Sequence, residues 1–212
     1  MIILLIILLL VLLLPVLLLF GFFSIITVGF ERLGIAPGLV ILLFVLMFIG
    51  SFINIPLGRK RVVAVQVPHF FGIFKKTMMT SQGLTLNVGG AIIPIILALY
   101  FLLFTPLQEA LLATGLMIAL THVTARFVPS KGIMLPFLLP PVAAAMLAYV
   151  ISPDHPAQVA FISGVFGVLI GADLLHLPRV IRQGRGVMSI GGAGVFDGIF
   201  LVAIISALLA SL

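Results

Sequence analysis

The sequence predicts an all-α fold, a polytopic transmembrane bundle of about seven helices that forms a single integral membrane domain over residues 1–212. Hydrophobic residues make up 63% of the 212 residues and charged residues only 8%, with a mean hydropathy of +1.46. The apolar runs are long and continuous, as in helical membrane proteins. The chain has no cysteine, which excludes disulfides and thiolate metal sites, and no cofactor is predicted.

The predicted spans are apolar runs bounded by proline, glycine and charged residues. The first run lacks a basic leader and is too long for a signal-peptide core, so we predict a span there. Pro106 predicts a tight turn between spans three and four, and Pro136, Pro140 and Pro141 predict a distortion near the start of span five. The spans cover residues 2–28, 36–56, 88–105, 107–125, 132–152, 157–178 and 189–211.

The basic residues predict the orientation of the chain. Ten of the eleven Lys and Arg residues lie in the loops after spans two, four and six. Because cytoplasmic loops are enriched in Lys and Arg, we expect a cell-membrane protein with a cytoplasmic N-terminus and an external C-terminus. The net charge of +6 therefore indicates membrane topology, and no nucleic-acid partner is predicted. The ten are Arg59, Lys60, Arg61, Lys75, Lys76, Arg126, Lys131, Arg179, Arg182 and Arg185.

The longest loop, residues 57–87, combines strand-like alternation with an aromatic cluster and the pair Lys75 and Lys76. One interpretation is an interfacial segment on the lipid headgroups. The alternative is a cytoplasmic lid over a cavity. We favour the interfacial segment.

Short internal matches indicate a repeat. Residues 50–56 at the end of span two match 171–178 at the end of span six with one gap, which aligns Asn54 with His176. Residues 87–91 match 189–193 at the starts of spans three and seven. The order predicts a parallel three-plus-one-plus-three duplication, a pattern known among transporters. A chance match between short motifs is the alternative.

Four stretches of the chain, 50–56, 87–94, 171–175 and 190–201, resemble the signature segments of an uncharacterised prokaryotic membrane-protein family, domain of unknown function 1614. The resemblance covers most of the chain from residue 50 onward, and the last stretch is the most specific. It implies a multi-pass membrane protein and no particular activity.

The candidate catalytic residues are Asp173 and Asp197, two acidic residues that lie well inside predicted spans six and seven. A carboxylate at membrane depth costs several kcal/mol, so it is a functional-site hypothesis by default. A short basic turn joins their two spans, which places the carboxylates at similar depth. If they face each other, like-charge repulsion makes them share a proton.

Other polar side chains in the cytoplasmic half of the spans form a candidate substrate or ion pathway: Asn54, Asn87, His122 and His176. For each one alone, helix capping or contact with interfacial water is the more common role. Candidate helix-packing positions are Gly191, Gly192, Gly194 and Gly198, and a second small-xxx-small pair is Gly167 and Gly171. The second pair points away from Asp173, so the glycines do not establish that span six is the partner of span seven.

Four functions remain open at this stage. The first is a proton- or cation-coupled carrier of a small solute, with the paired aspartates as the ion site. The second is an intramembrane aspartyl protease that cleaves a membrane peptide, although residues 194–197 lack the Gly-x-Gly-Asp pattern of such enzymes. The third takes Asp173, His176 and Asp197 as metal ligands, and the fourth is a membrane assembly protein without turnover, with an oligomer as one form. The lipid bilayer is a partner in all four.

Overall fold

The fold is mostly helical in the computed structural model, which describes residues 13–18, 20–21, 24, 27–31, 33–58, 61–69, 74–128, 132–183, 187–192 and 198–210. Residues 13–18 and 27–31 are helical. The further helices are α1 (Pro37–Ser51), α2 (Ile93–Leu102), α3 (Leu107–Thr124), α4 (Leu139–Ile151), α5 (Pro156–Gly167), α6 (Leu175–Gln183) and α7 (Gly198–Ala210). The π-helical turn Val88–Ile92 leads into α2, and a second π-helical segment, Val168–Leu174, joins α5 to α6.

Strands accompany the helices, so the all-α prediction was incomplete. They are β1 (Asn54–Pro56), β2 (Arg61–His69), β3 (Phe74–Asn87), β4 (Arg126–Val128), β5 (Gly132–Met134) and β6 (Val187–Ile190). Strand β3 pairs antiparallel with β1 and β2 and parallel with β6, while β4 and β5 form a separate hairpin. The 57–87 loop is therefore largely a β-hairpin, as its strand-like alternation indicated. Its position on lipid headgroups stays a prediction.

The core forms around α5, which packs against α2, α3, α4 and α7. Side chains along α5 such as Val159, Phe161 and Val165 are completely buried. At one end of the molecule, Phe161 makes edge-to-face contacts with Phe30 and Phe101 at centroid distances of 6.5 and 5.1 Å. Phe44 joins this cluster through Phe30. We call this group of four phenylalanines the aromatic end.

The end of α1, the start of α2 and the segment after β6 meet at the opposite end, which we call the glycine end. There, Gly50 lies against Gly89, and Gly191 lies against Gly90 and Ala91. Helices α3 and α5 run parallel, because Gly167 contacts Met117 and Gly171 contacts Thr121. Helices α5 and α7 run antiparallel, with Ser206 donating a hydrogen bond to the Ala160 carbonyl at 3.1 Å. These directions agree with alternating threading of the predicted spans.

Among the described residues, two helices are long and apolar enough to cross a membrane. Leu107–Thr124 has 28% of its apolar window buried, and the continuous helix Pro156–Arg182 has 67% buried, so the first borders the surroundings and the second is central. Large apolar side chains are exposed on the peripheral helices, for example Tyr100, Leu111, Met146 and Val150. Such extensive apolar exposure is typical of surfaces that contact lipid.

The remaining predicted spans are only partly matched, so about seven full spans are not established. Pro37–Ser51, Val88–Leu102 and Leu139–Ile151 are apolar helices shorter than 18 residues. Span two ends in β1, span five begins with β5, and span seven begins with β6. We predicted these three strands as parts of helical spans, because hydrophobicity alone does not distinguish a short apolar strand from a helix. Span one falls largely outside the described residues.

The three prolines near the start of span five do not distort a helix. Helix α4 begins at Leu139, with Pro140 and Pro141 in its first turn, where a missing N–H costs no hydrogen bond. Pro136 precedes the helix. One pair of the repeat also differs in conformation, because Asn54 lies in a strand and His176 in a helix. The duplication stays a prediction.

Candidate functional site

Asn87 organises the polar contacts at the glycine end. It ends β3 and precedes the π-helical turn, and only 1% of its surface is exposed. Its Oδ1 accepts a hydrogen bond from Gly90 N at 2.7 Å, which caps the turn. Its Nδ2 donates to the Ser51 carbonyl at 2.7 Å and to Asn54 Oδ1 at 3.2 Å. One amide thus connects the end of α1, strand β1 and the start of α2.

Asn54 and Ser189 complete this cluster from the neighbouring strands. Asn54 is exposed and lies opposite Asn87 in the β1–β3 register. Ser189 in β6 donates through Oγ to Asn54 Oδ1 at 2.7 Å. The structure therefore brings two of the predicted pathway residues together. Both are held by hydrogen bonds that tie strands to helices, which is a scaffolding role.

Glycines allow the backbones to approach closely beside Asn87. A Cβ on Gly89 would lie 2.5 Å from Ser51 N, and one on Gly90 would collide with the Gly191 carbonyl oxygen. Gly191 has φ +69°, a left-handed conformation that glycine adopts without strain. A Cβ on Gly192 would lie 2.7 Å from Asn87 Cβ. Of the other glycines predicted to pack helices, Gly198 begins α7 and Gly194 lies outside the described residues.

The second glycine pair packs against α3. A Cβ on Gly167 would lie 2.5 Å from Met117 Cβ, and one on Gly171 would collide with Thr121 Oγ1. Thr121 is completely buried and donates through its hydroxyl to the Gly167 carbonyl at 2.7 Å or to Met117 O of its own helix at 2.8 Å. The sequence left the partner of this pair open, and the structure identifies it as α3.

His176 follows the π-helical segment Val168–Leu174. At the end of that segment Leu175 N–H donates to Ile170 O, five residues back. Where this pattern returns to i→i−4 bonding, one carbonyl is left without a backbone donor. His176 Nδ1 lies 2.9 Å from Ala172 O and 3.3 Å from Gly171 O, so the ring provides a hydrogen-bond donor for the carbonyl oxygens of this segment. Since carbonyl oxygens only accept, Nδ1 carries the proton, and Nε2 of the neutral ring keeps its lone pair.

The rings of His122 and His176 lie against each other. Their centroids are 4.8 Å apart and their planes are tilted by 42°. His176 is 3% exposed, whereas His122 lies on the exposed side near the end of α3. The parallel packing of α3 on α5 brings the two together, because it aligns the last turn of α3 with the π-helical segment. This pair reaches from the surface to the interior.

Of the two predicted catalytic aspartates, the structure describes only Asp173. Asp173 lies partly buried within the π-helical segment, three residues before His176. Asp197 lies outside the described residues, immediately before α7, so a carboxylate pair stays a prediction. The prediction that span seven is helical from residue 189 was wrong, because residues 187–190 form a strand and Gly191 a turn.

Within the part of the chain that the structure describes, no three His, Cys, Asp or Glu residues form a group that could hold a metal ion. The set of Asp173, His176 and Asp197 includes a residue outside that part, so it is untested as a whole. Sequence reasoning missed Thr121 and Ser51. The only signal for Thr121 was a hydroxyl within a predicted span, while Ser51 contributes its backbone carbonyl and left no signal.

Comparison with known proteins identifies one family. The family model described as "Protein of unknown function (DUF1614)" matches residues 48–209. The matched range includes both π-helical segments, the two histidines that contact each other, Asn87 and the glycines of the glycine end. No curated protein and no solved structure matches the chain.

Proposed function

The chain belongs to the DUF1614 family of proteins of unknown function, and we propose that it is a multi-pass protein of the cell membrane that carries a small solute coupled to a proton or another cation. Its N-terminus is cytoplasmic and its C-terminus external in this proposal. The observation that carries the proposal is the contact between His122 and His176 at 4.8 Å.

The chemistry of the pair supports this function. An imidazole has two ring nitrogens and can accept a proton on one while it releases a proton from the other, so two adjacent imidazoles can pass a proton between them. Exposed His122 is open to the surroundings and buried His176 is not, so a proton moving between the rings moves between the surface and the interior. Asp173, three residues before His176, supplies a second titratable group on the same segment.

The shape of the surrounding helix is a second support. Transporters commonly place ion sites where a membrane helix departs from regular geometry, because freed backbone groups and polar side chains can then contact the ion. The helix from Pro156 to Gln183 has a π-helical segment next to Asp173 and contains Pro178 within α6. A proline removes one backbone N–H, so the carbonyl four residues earlier loses its regular donor.

Proton movement into liposomes tests the proposal. The purified protein is reconstituted with a trapped pH-sensitive dye, and a pH gradient is imposed with mixtures of amino acids, sugars, organic acids or metal salts outside. We expect faster dye response than in protein-free liposomes with at least one mixture, and loss of that response in His122→Gln. His155→Gln is the matched control, because His155 directly precedes α5, at the far end of the long helix that carries His176. Equal rates with and without protein in every mixture would contradict the proposal.

A further inference from the structure

We infer that the cation handled at the His122–His176 pair is a divalent transition-metal ion of the zinc type, bound by one nitrogen of each ring. This inference rests on the proposed function, because it names the cation of the same site. The two histidines are placed by different helices, α3 and α6, and meet only through the tertiary packing.

The distance between the rings fits a shared metal ion. With metal–nitrogen bonds of about 2.0–2.1 Å and a tetrahedral angle at the metal, the centroids of two bound imidazoles lie about 5 Å apart. The observed centroid distance is 4.8 Å, and the planes are tilted by 42° rather than stacked flat. The centroid distance is therefore compatible with one ion bound between the two rings.

The hydrogen bonds of His176 prepare it as a ligand. Histidines that bind metals generally donate their other ring N–H to a carbonyl or carboxylate, which fixes the tautomer and the direction of the ring. His176 Nδ1 makes this contact with Ala172 O at 2.9 Å. That leaves the Nε2 lone pair for a metal ion. The π-helical segment supplies this carbonyl, so the irregular part of the helix orients the His176 ring.

The ligand type and number define the class of ion. Imidazole nitrogens favour zinc, copper, nickel and cobalt over magnesium and calcium, which prefer oxygen ligands. Two imidazoles leave the other coordination positions of the ion to water or to a carried solute, and no third His, Cys, Asp or Glu of the described residues completes a group with them. Incomplete coordination means weak binding. A transported ion needs a site that it can leave.

Metal titration of the purified protein tests the inference. Full-length protein in detergent, freed of any polyhistidine tag, is titrated calorimetrically with Zn²⁺ alone and with Mg²⁺ alone. We expect Zn²⁺ binding without comparable Mg²⁺ binding, and an absorption spectrum of bound Co²⁺ typical of nitrogen ligands. His122→Ala should weaken Zn²⁺ binding at least tenfold. His155→Ala should leave it unchanged, because His155 lies roughly 30 Å from His176 along the same helix.

His122 is the residue to change because it lies on the exposed side, so its loss leaves the fold intact, whereas His176 also satisfies backbone carbonyls. Unchanged Zn²⁺ affinity in His122→Ala, or no Zn²⁺ binding by the unaltered protein, would overturn the inference. Proton movement measured on the same preparations separates the two proposals. Flux that depends on His122 without Zn²⁺ binding retains the carrier function and rejects the metal ion. Zn²⁺ binding through His122 without flux under any mixture retains the metal site and rejects the carrier.

Discussion

Thr121 of α3 lies with its hydroxyl 2.7 Å from the backbone carbonyl of Gly167 in α5. This hydrogen bond crosses between parallel helices just before the π-helical segment begins. His122 is the next residue, so the hydrogen bond fixes its position along the helix axis relative to the π-helical segment that precedes His176.

Removing that hydroxyl should loosen the histidine contact. Thr121→Val keeps the size of the side chain and removes the interhelix hydrogen bond, so we expect a loss of about 1–2 kcal/mol in the free energy of unfolding. Thermal unfolding in detergent measures it. Thr124→Val is the control, because the Thr124 hydroxyl bonds only to Leu120 O of its own helix. Equal losses in the two variants would show that the interhelix hydrogen bond contributes no more to the free energy of unfolding than a bond within one helix.

Adding one methyl group at Gly167 should push α3 and α5 apart. The new Cβ would lie 2.5 Å from Met117 Cβ, so Gly167→Ala requires the backbones to separate. Gly115→Ala adds the same group at a position with nothing within 4 Å and should stabilise α3 by about 0.5–1 kcal/mol, because alanine favours helix over glycine. Folded yield and thermal midpoint in detergent compare the two. A Gly167→Ala protein as stable as Gly115→Ala would contradict the close packing.

The same substitution at the two asparagines should have opposite results. Asn87→Asp replaces a buried donor to Ser51 O with a carboxylate oxygen, so we expect the variant to fail in folding. Asn54→Asp keeps the exposed oxygen that accepts from Asn87 and Ser189, so we expect a normal yield. Size-exclusion chromatography in detergent measures the folded fraction. If Asn87→Asp folds as well as Asn54→Asp, the Asn87 side chain is not oriented as described.

The aspartates should matter for flux more than for folding. Asp173→Asn and Asp197→Asn keep the size of the side chain and remove the titratable proton, so we expect normal expression and loss of proton movement in liposomes. If the two act as one unit, the double variant should be no worse than either single one. Asp154→Asn, in an exposed turn, is the control. Full flux in Asp197→Asn would remove that residue from the ion site.

Reporter fusions test the orientation. We expect cytoplasmic signals after Lys76, Lys131 and Arg185 and external signals after Glu109 and Asp154, because ten of the eleven basic residues follow predicted spans two, four and six, which the seven-span topology puts on one side. The structure is consistent with this alternation, since α3 and α5 run parallel and α5 and α7 run antiparallel. A cytoplasmic signal after Asp154 would contradict the seven-span topology.

The sequence predicted the longest helices and the family well, and the short elements poorly. Span four was predicted at 107–125 and α3 covers Leu107–Thr124, because a long, mainly apolar stretch that directly follows a proline favours a helix starting there. Residues 189 and 190 were predicted as the start of helical span seven, but they belong to strand β6, which pairs with β3 more than one hundred residues earlier. Such nonlocal pairing leaves no local signal. For His122 and His176, the sequence indicated only that both lie in the cytoplasmic half of the predicted spans, and it did not predict that their rings are in contact.

The parallel pairing of β3 with β6 has a consequence for biosynthesis. Strand β3 can pair with β1 and β2 as soon as the hairpin has left the ribosome, but its other edge at 83–86 has no partner until residues 187–190 are made. During that interval the nascent chain presents an open strand edge, the feature that most readily recruits wrong partners. A chain terminated before residue 187 would keep that edge open permanently. We therefore expect truncated copies to aggregate or to be removed by membrane proteases, even where all earlier helices have inserted.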